Sequence, residues 1–196
     1  MIKANCETKD TEVIINGRQI SARLNFYPKD QLVVMRRFLE TCERLNRMFV
    51  DNWQQRRLNY TEFSEVMIAS HLGMGIAKSI KGGGNTFDLY DPVEKERIEL
   101  KASWKSEGSP VSMRSRGHSW EISEKWDRLL YVDCSDALGY GSKIYEIPNN
   151  VLDESHVSNG ENFKSCRLRG KERIMINLQQ VVEKNLLKPI DVCHLP

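Results

Sequence analysis

The chain has 196 residues, of which 40% are hydrophobic, and its 29 Lys and Arg residues nearly balance its 27 Asp and Glu residues, for a formal net charge of +2. This length and hydrophobic content suffice for the core of one compact domain. Because the net charge is low, any binding to a polyanion must rely on local clusters of Lys and Arg and not on the charge of the whole chain. Its five cysteines are odd in number and form no Cys-x-x-Cys pair, which argues against a disulfide framework or zinc ribbon and favours reduced cytoplasmic thiols.

The chain begins with a predicted hairpin and a long predicted helix. Asn16 and Gly17 stand between two apolar runs within residues 11–24, which is a strong signal for a type I′ turn. From Lys29 to about Leu58, apolar residues recur at intervals of three and four, which predicts an amphipathic helix. Those residues are Leu32, Met35, Leu39, Cys42, Leu45, Phe49 and Trp53.

The opposite face of this helix is basic and leaves two interpretations open. It carries Arg36, Arg37, Arg44, Arg47 and Arg56. A core helix with a solvated face explains the pattern, and so does a helix used for dimerisation or for flanking DNA. We therefore divide the chain into an N-terminal part, residues 1–58, and a core part, residues 59–196, within one compact domain.

A second helix and a glycine-rich segment follow. Thr61 is a suitable cap for a helix from Glu62 to about Leu72. The run from Lys81 to Asn85 contains three consecutive glycines. It lacks the Gly-Lys-Ser/Thr ending of a nucleotide-binding loop and leads into a strand, so we reject that interpretation.

The next two runs predict a hairpin with one polar face. Residues 87–91 and 97–103 are joined by a charged turn. Because side chains alternate along a strand, Glu99 and Lys101 share one face about 7 Å apart, whereas Ile98 and Leu100 share the other. The hairpin therefore buries two aliphatic residues and presents an acid beside an amine.

Pairing of the two runs would bring Asp88 beside Glu99. Two carboxylates and an ammonium at one place favour a divalent cation, which offsets the repulsion between the acids. A solvated cross-strand ion pair is the ordinary alternative for a Glu-x-Lys triplet. The flanking segments, glycine-rich before and basic after, favour the metal site because a groove for a polyanion needs such surroundings.

Basic residues follow the polar strand. Lys105, Arg114, Arg116 and His118 lie in a segment rich in Gly and Ser, and arginines there can bind phosphates or guanine. Ordinary solvation explains them about as well. Arg167, Arg169, Lys171 and Arg173 form a second cluster, which fits either further DNA contacts or a charged hairpin end.

The remaining pattern completes a mixed sheet. We predict a helix start at residues 120–126, strands at residues 129–132 and 144–147, and a closing helix from Ile174 to Leu187. The fold class is α/β, or α+β, with a central mixed sheet of about four or five strands flanked by helices.

From about Tyr60 to Pro148, the chain resembles the PD-(D/E)XK nuclease superfamily and, within it, small type II restriction endonucleases. The resemblance rests on a helix with a glutamate, a Gly-rich loop, Phe87-Asp88-Leu89 and Ile98-Glu99-Leu100-Lys101. It implies that Asp88 and Glu99 bind Mg²⁺, that the Leu100 carbonyl is a further ligand, and that Lys101 orients the attacking water.

The resemblance leaves two residue assignments open, and the chain departs from the superfamily motif at one position. The superfamily motif has a proline directly before its first acid, whereas this chain has Phe87 there. Asp91 is a rival of Asp88, and Glu62 is a rival of Glu65 as the helical acid that supports the metal.

The resemblance also implies partners and a location. It implies a restriction-endonuclease-like fold, a homodimer acting on double-stranded DNA, a paired DNA methyltransferase and the cytoplasm of a bacterial or archaeal cell. We find neither a signal peptide nor an apolar run of membrane-spanning length. Mg²⁺-dependent, sequence-specific cleavage of DNA is the expected function. The alternatives are a repair or junction-resolving nuclease and a DNA-binding module without chemistry.

Overall fold

The computed structural model describes residues 6–15, 17–48, 61–80, 87–104, 111–114, 126–147, 163–168, 171–176 and 187–196. These ranges contain two helices, α1 (Gln31–Met48) and α2 (Thr61–Leu72). Their eleven strands are β1 (Glu7–Ile15), β2 (Arg18–Phe26), β3 (Gly75–Ile80), β4 (Leu89–Asp91), β5 (Glu96–Ser103), β6 (Val111–Arg114), β7 (Arg128–Asp133), β8 (Ser142–Ile147), β9 (Phe163–Leu168), β10 (Lys171–Ile176) and β11 (Lys188–Cys193). None of the described helices is both long enough and apolar enough to cross a bilayer.

The main sheet is mixed, as predicted, but larger than predicted. Its eight strands run in the order β1-β2-β3-β4-β5-β7-β8-β11. Only β5 and β7 pair in parallel, whereas the other neighbours are antiparallel. The prediction of four or five strands is wrong because the N-terminal hairpin joins this sheet through β2 and β3, and because β3 and β11 gave no clear sequence signal.

The N-terminal hairpin forms at the predicted position. Ile15 pairs with Arg18, and Gly17 between them has a φ of 70°. A positive φ is available to glycine at little cost, which is why the Asn-Gly pair marks this turn. The predicted strand pairing is therefore confirmed.

The two helices cover one face of the sheet. The buried stripe of α1, which includes Leu32, Met35 and Leu39, packs with Met67 and Ile68 of α2 in one apolar cluster. Helix α2 ends at Gly73, whose φ is 73°, as expected of a helix C-terminus. The predicted continuation of α1 over residues 49–58 lies outside the described residues.

Alternation along the central strands gives each face its own apolar cluster. Ile98 and Leu100 of β5 face the helices. Leu129 and Tyr131 of β7 belong to the cluster on the opposite face, together with Phe87. The polar positions of β5 therefore lie on the face that α1 and α2 do not cover.

A second sheet has three antiparallel strands in the order β6-β10-β9. It corrects the start of the closing helix predicted from Ile174 to Leu187, because Ile174 to Ile176 belong to β10. Residues 177–186 of that prediction lie outside the described residues. The apolar residues Ile174 and Ile176 are two positions apart, which is a strand period, and their partners are distant in sequence. The predicted glycine loop and nearly all of the helix start at residues 120–126 lie outside the described residues.

Candidate active site

The hairpin of β4 and β5 fixes the register of the predicted site. Leu89 pairs with Ile98, and Asp91 pairs with Glu96. Oδ1 of Asp91 accepts hydrogen bonds from the backbone N–H groups of Val93 at 2.9 Å and Glu94 at 3.2 Å. Asp91 thus caps the turn, which gives this rival of Asp88 a structural role at the far end of the hairpin from Lys101.

Asp88 is held against β5 through both its backbone and its side chain. Its backbone N–H donates to the Ile98 carbonyl at 3.0 Å, and its carbonyl accepts from the Ala77 N–H at 3.1 Å. Its Oδ2 accepts a hydrogen bond from the Leu100 N–H at 2.8 Å. The Asp88 carboxylate therefore lies at the peptide group that joins Glu99 to Leu100.

Glu99 and Lys101 meet on the polar face of β5. The Lys101 ammonium forms an ion pair with the Glu99 carboxylate and lies 3.3 Å from the Leu100 carbonyl oxygen. The Glu99 side chain is 23% exposed and the Lys101 side chain 24% exposed, whereas Ile98 and Leu100 are buried. The predicted division of β5 into a polar and an apolar face is present in the structure.

Asp88, Glu99 and the Leu100 carbonyl offer oxygen atoms, the ligand type that Mg²⁺ prefers. The Asp88 carboxylate accepts a hydrogen bond from the Leu100 N–H, and the Lys101 ammonium contacts both the Glu99 carboxylate and the Leu100 carbonyl. Mg²⁺ is commonly bound by one or two carboxylates, with waters and substrate phosphates as the other ligands. Within the described ranges, no three His, Cys, Asp or Glu side chains are grouped so as to hold a metal ion.

An ion pair between buried Arg97 and partly exposed Asp127 lies beside the site and was missed by the sequence analysis. The Asp127 carboxylate accepts hydrogen bonds from the Arg97 backbone N–H at 2.7 Å, from Nε at 2.9 Å and from Nη2 at 2.7 Å. Burial raises the pKa of Asp127, but the hydrogen bonds and charge of Arg97 outweigh this effect and hold that pKa below its ordinary value. Arg97 lies two residues before Glu99 and therefore on the same face of β5. This strand alternation was the only sequence signal that placed Arg97 near the site.

Comparison with known families identifies the kind of protein that carries this site. Residues 29–184 match the family model described as Bsp6I restriction endonuclease. The chain belongs to the Bsp6I restriction endonuclease family. No curated protein and no solved structure matches the chain. The predicted resemblance to a type II restriction endonuclease is confirmed, and the matched region includes both helices, the β4–β5 hairpin and the second sheet.

The helical acids of this family member are only partly described. The indole N–H of Trp104 donates to the Ser64 hydroxyl at 2.7 Å, so the first turns of α2 lie near the end of β5. Glu65 is half-buried there, but it does not form a three-carboxylate group with Asp88 and Glu99. The side chain of Glu62 lies outside the described part of the chain.

Most of the predicted DNA-contacting residues cannot be placed. Lys105, Arg116 and His118 lie outside the described residues. Arg114 is the last residue of β6, where it pairs with Arg173 of β10. The second sheet therefore pairs one member of the first predicted basic cluster with a strand that carries members of the second.

Proposed function

We propose that this member of the Bsp6I family is a type II restriction endonuclease that uses Mg²⁺ to hydrolyse phosphodiester bonds at a specific sequence in double-stranded DNA. Family membership supports a restriction nuclease. The observation that supports the assignment to these residues is that Asp88 and the Lys101–Glu99 pair both reach the backbone of Leu100, Asp88 at its N–H and Lys101 at its carbonyl.

We assign each group one role in hydrolysis. Asp88, Glu99 and the Leu100 carbonyl hold the metal ion, which, when bound, neutralises charge on the phosphate and makes a bound water more acidic. Lys101 donates hydrogen bonds that orient the attacking water. We assign Glu65 the role of the helical acid that supports the metal, and it would act around the end of β5, because α2 covers the opposite face of that strand.

Lys101 suits this role because its ammonium is held by two contacts while part of its side chain remains exposed. Its ammonium contacts the Glu99 carboxylate and the Leu100 carbonyl, so two of the proposed metal ligands also position the amine. About a quarter of its side chain remains exposed, which leaves room for a phosphate to approach. A lysine in the apolar cluster on the other face of β5 would not have this access.

Binding and assembly follow from the same proposal. Lys105, Arg114, Arg116 and His118 contact DNA, and a homodimer places one active site on each strand of a symmetric sequence. The outer face of α1 supports the dimer because it exposes four large apolar side chains, namely Val33, Phe38, Leu45 and Met48. A DNA methyltransferase that protects the host sequence is the functional partner, and the cytoplasm is the location.

The test is cleavage of plasmid and phage DNA by the purified protein with MgCl₂, followed by sequencing of the ends. We expect discrete fragments with a common end sequence. Asp88→Asn keeps an oxygen for the Leu100 amide but removes the charge, and Lys101→Met removes the amine. Each should lower the cleavage rate by about 10²-fold or more while DNA binding is retained.

Asp91→Asn is the matched control because it changes the rival acid on the same hairpin. It should leave the cleavage rate nearly unchanged, since the amide oxygen still accepts the two turn N–H groups. Full activity of Asp88→Asn, or inactivity of Asp91→Asn in a folded protein, would contradict the assignment. Cleavage of branched DNA only would instead support the junction-resolving alternative.

A further inference from the structure

Strand β7 adds side chains to the face of the main sheet that carries Glu99 and Lys101. It runs parallel to β5, and its register places Leu129 opposite Glu99 and Tyr131 opposite Lys101. Paired residues of neighbouring strands share a face, and such strands lie about 4.8 Å apart. Tyr131 is therefore the direct neighbour of Lys101 on the next strand.

The pairing on the other side of β5 ends before it reaches Lys101. There, β4 pairs with residues 96–98 of β5, and Asp88 reaches the Leu100 N–H with its carboxylate. Among the described strands, a side chain that limits the motion of Lys101 from alongside therefore has to come from β7.

The Tyr131 ring is held in one place. The residue is 4% exposed, and its ring stacks on that of Tyr145, with the ring centroids 6.1 Å apart and an angle of 20° between the planes. Tyr145 is also its register partner on β8. A ring enclosed in this way cannot change its rotamer without displacing its neighbours, so it presents a fixed surface to the adjacent strand.

The Tyr131 hydroxyl stays protonated beside the lysine. Burial, reinforced by the charge of Asp133, raises the pKa of Tyr131 above its ordinary value, and the Ser103 hydroxyl opposes this effect only in part. A neutral phenol does not compete with the Glu99 carboxylate for the Lys101 ammonium. The contribution of Tyr131 is therefore the position of its ring and not a charge.

Lys101 needs such a neighbour when the site is in use. Its ammonium contacts the Glu99 carboxylate and the Leu100 carbonyl, and both groups are proposed metal ligands. Their oxygens are less available to the amine when they coordinate a cation. A lysine side chain that loses its partners regains several rotatable torsions, and a fixed ring beside its methylene groups limits that freedom.

We propose that Tyr131 is a positioning residue for Lys101, whose methylene groups pack along the ring so that the ammonium stays on the polar face of β5 while the phosphodiester is hydrolysed. This inference rests on the proposed function, because it takes the role of Lys101 in hydrolysis as given. A displacement of about 1 Å at a reacting group can cost about 10²-fold in rate. Loss of the ring should therefore lower the rate of the chemical step and leave the affinity for DNA unchanged.

The test is a double-mutant cycle in full-length protein. Tyr131→Leu is introduced into the wild type and into Lys101→Met, and the single-turnover rate of plasmid cleavage is measured with MgCl₂ and enzyme in excess. Tyr131→Phe keeps the ring and loses the hydroxyl. Tyr145→Leu is the matched control, because it breaks the same ring pair on the strand farther from Lys101. Affinity for a labelled DNA duplex is measured by fluorescence anisotropy without divalent cations.

We expect Tyr131→Leu to lower the single-turnover rate by about tenfold or more in the wild type, but by less than about twofold in Lys101→Met, where the lysine through which it acts is absent. Tyr131→Phe should cleave at the wild-type rate, and Tyr145→Leu should stay within about threefold of it. All variants should bind the duplex equally well.

Circular dichroism checks the folding of each variant. If Tyr131→Leu does not fold, Tyr131→Met takes its place in the cycle, because its flexible side chain fills the space without providing a fixed ring. The same losses are expected of it in the two backgrounds.

The outcomes separate this inference from the proposed function. Suppose that Lys101→Met loses cleavage, but that the folded Tyr131 variant cleaves at the wild-type rate or loses the same factor in both backgrounds. The positioning role is then wrong and the nuclease assignment stands. An equal loss in Tyr145→Leu also overturns the positioning role. If Lys101→Met cleaves as fast as the wild type, the proposed function fails at Lys101 and this inference fails with it.

Discussion

Replacing Asp127 should destabilise the protein far more than replacing an exposed aspartate. The Arg97 side chain is 7% exposed and the Asp127 side chain 37% exposed, and the Asp127 carboxylate accepts three hydrogen bonds from Arg97. Removing one partner of a buried ion pair costs about 3–5 kcal/mol because the other charge loses its compensation. Since Asp127 is partly exposed, we expect a loss of about 3 kcal/mol for Asp127→Ala.

Urea denaturation followed by circular dichroism measures this loss. With an m-value of about 2 kcal/mol per M, the midpoint should fall by about 1.5 M, and the melting temperature should fall by about 6–12 °C. Asp10→Ala is the control, because Asp10 forms an ion pair with Arg23 in which both side chains are more than half exposed. Its midpoint should not change measurably.

The pH dependence provides an independent check. The pKa of Asp127 is lowered in the folded protein, since the Arg97 interactions outweigh the opposing effect of burial. A lowered folded-state pKa gives stability that is complete above the unfolded value, about 3.9, and is lost as pH falls through the folded value. The difference between the wild type and Asp127→Ala should therefore be constant near neutral pH and shrink below about pH 4. A difference under about 1 kcal/mol at pH 7, or one that grows on acidification, would refute the reasoning.

Two further predictions concern β5 and its attachment to α2. Glu99→Gln should abolish cleavage in a plasmid assay while DNA binding without divalent cations is retained, because the amide still accepts from Lys101 but binds a cation poorly; normal cleavage would contradict this. Trp104→Phe should lower the free energy of unfolding by about 1 kcal/mol, measured by urea denaturation. The substitution removes the 2.7 Å hydrogen bond to Ser64 but keeps an aromatic ring beside Phe63. An unchanged midpoint would show that this bond contributes little.

The β4–β5 hairpin could be predicted from sequence because its geometry is local. Strand alternation places Glu99 and Lys101 on one face, and the short turn after Asp91 fixes the register that brings Asp88 to β5. The N-terminal turn at Gly17 was predictable for the same reason, since a two-residue Asn-Gly turn determines the pairing around it. In both cases the decisive contacts are between residues that are close in the chain.

The parts that sequence did not predict depend on distant partners. Ile174 and Ile176 belong to β10 because it pairs with β6, about 60 residues earlier, and the apolar pattern alone was read as a helix. β11 is added to the sheet edge by pairing with β8. The link between Arg97 and Asp127 spans 30 residues, and neither residue belongs to a motif that indicates the other.

Hydrogen bonding distinguishes the two charged pairs that involve the polar face of β5. β5 lies between β4 and β7 within the sheet, and most of β7 is buried on both faces. Charges on such a central strand are costly unless each is compensated. The Arg97 side chain is almost fully enclosed, and the Asp127 carboxylate accepts hydrogen bonds from three N–H groups of Arg97, so this pair fixes β5 to the residue directly before β7. Lys101 and Glu99 compensate each other on one strand, and both remain about a quarter exposed. Under the proposed function, this second pair exchanges its internal contact for a cation and a phosphate.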